Sequence, residues 1–314
     1  MATGEFKKLL DRDRAIGDAQ ALIDKICPLL RELVDHGTWA LARCVRAGDV
    51  IGQENEDIAA PFLYRHMLEL TDGIEVLYRS SCSEAAVPTV RAAFETSLAL
   101  AYVLQDQSLF AQRSLSWVYC DLQDRIAIYR GLDETTGTGA AFRRKYETEL
   151  GISAPLFEPG RNPATAAANL QKVLSRIQFK QIAAEYAGAK KKYPTWFSLF
   201  GGPANLRELA DAVGRGIEYH ILYSAWSRSA HGRDGATYMR RGEQPKQAAI
   251  LALRSAHNMA SRATIVARQM LSSSRLLLGH YRPGEDVSSW YKREIRKSFL
   301  ELSQLEVSIN EIGS

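Results

Sequence analysis

Residues 89–105 read TVRAAFETSLALAYVLQ, a run of Ala, Leu and Val whose only charges are Arg91 and Glu95. Val90, Phe94, Leu98, Ala101 and Tyr102 recur at helical spacing, which predicts a helix with a wide apolar face. Arg91 and Glu95 stand four apart, so their side chains meet along the helix. A pair set in so apolar a segment is expected to be partly buried. It either braces the helix, since breaking a buried pair costs about 3–5 kcal/mol, or presents an acid and a cation to a shared cleft.

Outward from this run the same periodicity repeats. Leu9, Ile16, Leu22, Ile23, Ile26, Leu30, Leu33, Val34 and Leu41 predict helix over 6–47. Pro28 interrupts that segment, and an interior proline costs ~3 kcal/mol, so two helices or a kink near Ile26 and Cys27 are expected. After a turn at 48–53, helices are expected over 58–80, with Pro61 in the first turn, and over 109–132. Ser83 and Glu84 make a reasonable helix start ahead of Pro88.

A Gly and Thr loop at 133–139 and a stretch with Pro155, Pro159, Gly160 and Pro163 mark a seam. The expected organisation is an N-terminal helical part, 1–150, and a C-terminal helical part, 151–314, packed as one unit. The second half predicts helices over 164–188, 205–213, 214–232, 246–278 and 287–312. The last is the candidate interface of a homodimer. No alternating apolar runs bounded by turn signals occur, so the expected class is an all-α multi-helix bundle with long antiparallel helices and no significant sheet.

Composition bounds the function. The chain has 314 residues, 46% of them hydrophobic, enough for one large core or two modest ones. Forty basic against 36 acidic residues give a net charge of +4, far short of a dedicated nucleic-acid module, so RNA is a permitted partner rather than a required one. Cys27, Cys44, Cys82 and Cys120 have no ligand spacing and form no disulfide framework. No apolar run is long enough to span a membrane, and the first residues are charged. A cytoplasmic, reduced setting is expected, with no membrane.

The densest polar cluster lies at 214–232, GRGIEYHILYSAWSRSAHG. Read as one helix, it puts His220, Ser224, Ser227 and His231 on one face, beside a stripe of Tyr219, Leu222, Tyr223, Trp226 and Ala230. No metal and no cofactor are expected. His220 and His231 would lie about 16 Å apart along a helix axis, and no Glu-x-x-His occurs. Ser227 and His231 are four apart, but no Gly-x-Ser-x-Gly elbow accompanies them, which argues against a serine hydrolase. Arg215 with His220, Arg31 with His36 and Arg275 with His280 carry the arginine-to-histidine spacing of HEPN ribonucleases. In such a pair the histidine moves a proton near neutrality and the arginine stabilises charge on phosphate, with no metal.

Tyr193-Pro-Thr-Trp196, Asn205-Leu-Arg-Glu-Leu-Ala210, Tyr219, Tyr223, Ser227 and His231-Gly232, with Arg91-x-x-x-Glu95 upstream, resemble a bacterial all-helical family of unknown function. The likeness spans roughly 58–232. It implies a helical fold in which Arg91, Glu95, Ser227 and His231 come together, and kinship with HEPN-like nucleases of phage defence. Only two residues separate Arg228 from His231, fewer than in the nuclease spacing. Two functions are expected in competition. One is a metal-independent endoribonuclease of defence or stress response, using Arg91, Glu95, Ser227 and His231, with Arg215, His220 and Arg228 as secondary candidates. The other is a non-catalytic helical module that binds a partner protein or small ligand in the same cleft.

Overall fold

The computed structural model describes residues 9–47, 57–151, 162–223, 226, 239–241, 248–250 and 252–312. The described chain is helical apart from one short strand pair. It forms α1 (Arg12–Ala47), α2 (Ala59–Arg79), α3 (Val87–Leu104), α4 (Phe110–Leu132), α5 (Gly137–Leu150), α6 (Pro163–Leu174), α7 (Lys180–Gly188), α8 (Leu206–Ala212) and α9 (Gly216–Glu218). After these come β1 (Met239–Arg241), β2 (Ala248–Ile250), α10 (Met259–Tyr281), α11 (Val287–Trp290) and α12 (Arg296–Ile312). No described helix is long and apolar enough to cross a membrane.

The chain divides into two compact units. One takes residues 1–53, 60–106 and 206–314; the other takes 54–59 and 107–205. The division does not follow a single cut in the chain, and position 151 lies inside the second unit.

In the first unit α10 packs against α1, α3 and α12. The seam of α1 is Ala19, Ile23, Ile26, Leu30, Leu33, Gly37, Ala40 and Cys44, alternating steps of four and three, and every member is buried. That seam explains why α1 runs through Pro28 as one helix rather than as two. Pro28 sits on the exposed side. Burying the four large side chains of the seam contributes about 6–12 kcal/mol, more than the ~3 kcal/mol a proline costs. Some polar groups of this core are matched, whereas the Tyr78 hydroxyl, Ser81 Oγ and both amide atoms of Gln269 have no hydrogen-bond partner among the described residues. The Tyr64 hydroxyl lies 2.7 Å from Ser274 Oγ. Glu75, 1% exposed, accepts from Arg31 at 2.7 Å and from Arg79 Nε at 3.2 Å.

Three further expectations fail for physical reasons. The helix expected over 246–278 begins only at Met259, after Asn258 in the left-handed region (φ 54°). The chain before it is tied sideways to the turn after α2. Ser255 N–H donates to Ser81 O at 3.0 Å, and Ser83 Oγ donates to His257 O at 2.7 Å. Ahead of that tie, Ala248–Ile250 pair antiparallel with Met239–Arg241, so Ala and Ile that read as helix serve as a strand. Ser83 and Glu84 are likewise drawn off helix capping. Arg262 donates to Ser83 O at 2.9 Å and pairs with Glu84 at 3.0 Å, and α3 starts at Val87 instead.

Around α4, the second unit has its own core of Leu115, Tyr119, Ile126, Leu174, Phe179 and Ile182. The helix expected over 164–188 breaks between α6 and α7. There Arg176 turns extended (ψ 152°) and a single 3-10 turn, Ile177–Phe179, drives Phe179 into this core.

Candidate functional site

The apolar reading of α3 holds: Val90, Phe94, Leu98 and Tyr102 are buried, and Arg91 and Glu95 sit at the edge of that face. Their ion pair forms at 2.8 Å, with the arginine side chain 20% exposed and the carboxylate 38%. Fully exposed pairs of this kind contribute only ~0.3–0.5 kcal/mol; this one is partly buried.

A second layer comes from the segment after α8. α9 gives way at Tyr219 to a π-helical turn, Tyr219–Tyr223, so the uniform α-helix expected over 214–232 does not form in its described part. The wider turn changes the angle between successive side chains, and with it the face each residue occupies. Tyr219 and Tyr223 stack with ring centroids 4.6 Å apart. The Tyr223 hydroxyl accepts a hydrogen bond from Arg91 Nη2, and the Arg91 guanidinium lies 4.4 Å from the centre of the Tyr223 ring. Burial raises the Tyr223 phenol above its usual range, with the Glu95 charge adding to it, so the hydroxyl keeps its proton at neutral pH. Burial pulls the Arg91 guanidinium down, but its hydrogen bonds to Glu95 and Tyr223 and the Glu95 charge help carry it above its ordinary value.

Arg215 repeats the arrangement two turns along α3. Its Nε and Nη2 donate to Glu218 Oε2 at 3.0 and 2.6 Å, and its Nη1 donates to Ser97 Oγ at 2.7 Å. Its guanidinium lies 4.8 Å from the centre of the Phe94 ring. Trp226, 5% exposed, meets the same Phe94 ring edge-on at 5.9 Å. All three nitrogens of Arg215 are therefore engaged. Arg91 differs: Nε and Nη2 are engaged, and Nη1 makes no hydrogen bond among the described residues. Chemically the cluster is a pair of oriented guanidiniums, each over an aromatic face and each held by one carboxylate.

Of the residues singled out in the sequence, Arg91, Glu95 and Arg215 gather on α3. His220 is exposed. Ser227, Arg228 and His231 lie outside the described residues, as do Ser224 and Ala230 of the expected helix faces. Of the other spacing matches, Arg31 is committed to Glu75. His36 stacks on Trp290 with centroids 3.4 Å apart, and burial lowers its pKa to about 4. His280 meets Tyr281 edge-on. The sequence reading missed Ser97, Glu218, Phe94 and the Tyr223 hydroxyl as partners. The three-residue step from Arg215 to Glu218 was an available signal; nothing in the sequence joins Arg215 to Ser97, 118 positions away. Among the described residues no group of His, Cys, Asp and Glu is gathered to hold a metal ion.

A family model described as a family of unknown function, DUF5677, matches residues 57–248, close to the span of the resemblance read from the sequence. No curated protein and no solved structure matches the chain.

Proposed function

We propose, from the premise that this chain belongs to the DUF5677 family of unknown function, that the α3 cluster handles phosphate and that the chain is a metal-independent, HEPN-like endoribonuclease of defence or stress response. The observation that carries this reading is the Nη1 edge of Arg91, unengaged among the described residues, on a guanidinium whose other nitrogens are fixed by Glu95 and Tyr223. A guanidinium so oriented needs no reorganisation to receive a phosphate oxygen, and electrostatic stabilisation of that kind is commonly the largest catalytic contribution. His231 takes the proton of a ribose 2'-hydroxyl. The 2'-oxygen then bonds to phosphorus, and the 5'-oxygen leaves and takes up a proton. Glu95 and Tyr223 position Arg91, and Ser227 is a further polar contact to the substrate.

Incubation of the full chain with total RNA in the presence of a chelator tests the proposal. Wild type is expected to cleave, His231→Ala to lose about 10²-fold or more, and Arg91→Lys to fall markedly because an ammonium cannot reproduce the fork. Absence of cleavage by wild type, or full activity in His231→Ala, overturns it. A second reading has its own support: each guanidinium already carries a carboxylate partner, as expected of a non-catalytic module whose cleft binds a partner protein or small ligand. RNA left uncut by a folded wild-type chain favours that reading.

A further inference from the structure

The last turns of α10 and the segment leading through α11 into α12 enclose a cavity of about 650 Å³, within the usual range of small-molecule sites. Arg268, Ser272, Arg275, Gly279 and Arg282 line it at steps of four, three, four and three, so they share one face. Leu271, Leu278, Val287 and Phe299 supply an apolar floor, with Tyr291 beside them.

Two of the arginines on this face have no internal partner among the described residues, although they line a cavity. Arg31, Arg43, Arg79, Arg91, Arg215 and Arg262 all have carboxylate partners. Arg268 and Arg275 are exposed and make no ion pair or hydrogen bond among the described residues. Two acids also line the cavity, and both are spent internally. Glu285 accepts from Arg43 at 2.9 Å and from Arg282 at 3.3 Å. Asp286 caps α11, accepting from Ser289 N–H at 3.1 Å and from Ser289 Oγ at 2.5 Å. What remains is two arginines whose backbone positions stand about 10 Å apart along the helix, lining the cavity together with its apolar and aromatic residues. Guanidinium forks match phosphate oxygens, and a flat ring matches a floor containing Phe299.

We propose that this groove is a nucleotide-binding site distinct from the α3 cluster, in which Arg268 and Arg275 hold the phosphates and Phe299 with Leu271 carries the base. None of its lining residues belongs to the α3 cluster, so the proposal stands whether or not the chain cleaves RNA.

Titration calorimetry of the full chain with ATP, tripolyphosphate and adenosine tests it. ATP is expected to bind more tightly than tripolyphosphate, and adenosine more weakly than both. Arg268→Ala with Arg275→Ala should weaken ATP at least tenfold without altering the melting temperature, because neither side chain has an internal partner. Phe299→Ala should weaken ATP while leaving tripolyphosphate unchanged, and Arg91→Ala should leave ATP binding as in wild type. No binding of ATP by wild type, equal binding by the double variant, or loss on Arg91→Ala overturns the site. Equal affinity for ATP and tripolyphosphate overturns the assignment of a nucleotide.

Discussion

His36 shows how a single residue escapes a spacing argument. Five positions after Arg31, it reads as half of a nuclease pair, yet its ring lies parallel to that of Trp290, 254 residues away, with 8° between the planes. Its Nε2 is buried with no hydrogen-bond partner among the described residues. Burial is the main cause of its pKa falling from 6.5 to about 4, and the nearby Glu285 carboxylate pulls weakly the other way. The sign of the linkage follows. Between pH 6.5 and 4 the unfolded chain holds the proton and the folded chain does not, so stability rises with pH across that window. The stabilisation is complete above pH 6.5 and is lost as pH falls towards 4. Allowing for partial exposure, wild type is expected to lose on the order of 2 kcal/mol across the window. His36→Phe, which keeps a ring on Trp290 and has nothing to titrate, should show a shallower slope. Urea unfolding at several pH values measures both; equal slopes would mean that the imidazole titrates as it does in water. Cys27, Cys44 and Cys120 follow the same logic. All are free and buried, and burial pushes their thiols up to about 12, 11 and 12, so as thiols they are poor nucleophiles at neutral pH.

At the scale of the element, periodicity located most described helices, because an apolar stripe depends on neighbours three and four residues away. The body of α3 and the ion pair along it were legible for that reason. What α3 faces was not legible, since Tyr223 reaches Arg91 through a π turn that the spacing of residues 214–232 does not announce. Nor was the start of α10, which is set by hydrogen bonds to a turn more than 170 positions earlier. Pro28 is the complementary case, a local signal outweighed by packing. Its ring points away from the buried seam, so Pro28→Ala loses no core contact, regains a donor towards Asp24 O and removes the proline's steric conflict. The variant is expected to be more stable by about 1–2 kcal/mol, read as a higher urea midpoint with unchanged slope. A loss of stability would mean that the ring is needed where it stands.

For the molecule as a whole, all-α packing was readable because α1, α2, α3, α4 and α10 each carry a buried apolar stripe. The partition into units was not, because units are defined by contacts between distant segments: the first unit is assembled from three stretches of chain, with the second unit's stretches between them. Gly37 marks where such contacts become limiting within the first unit. A methyl group there would run into Leu68 Cδ2 and come within 2.9 Å of both Met270 Cε and the Tyr64 hydroxyl, so α1, α2 and α10 all close on this point. The Tyr64 hydroxyl is held by Ser274 and has little room to yield. Gly73 in α2 is the internal control, since nothing lies within 4 Å of a methyl placed there. Both substitutions to Ala gain the same helix propensity, about 1 kcal/mol. Gly73→Ala is therefore expected to stabilise the protein by up to that amount. Gly37→Ala must set the gain against overpacking of about 1–3 kcal/mol and is expected to lose up to about 2 kcal/mol net. Opposite signs in paired chemical denaturation curves support close approach of the three helices at Gly37; a gain from both would mean that this junction has slack.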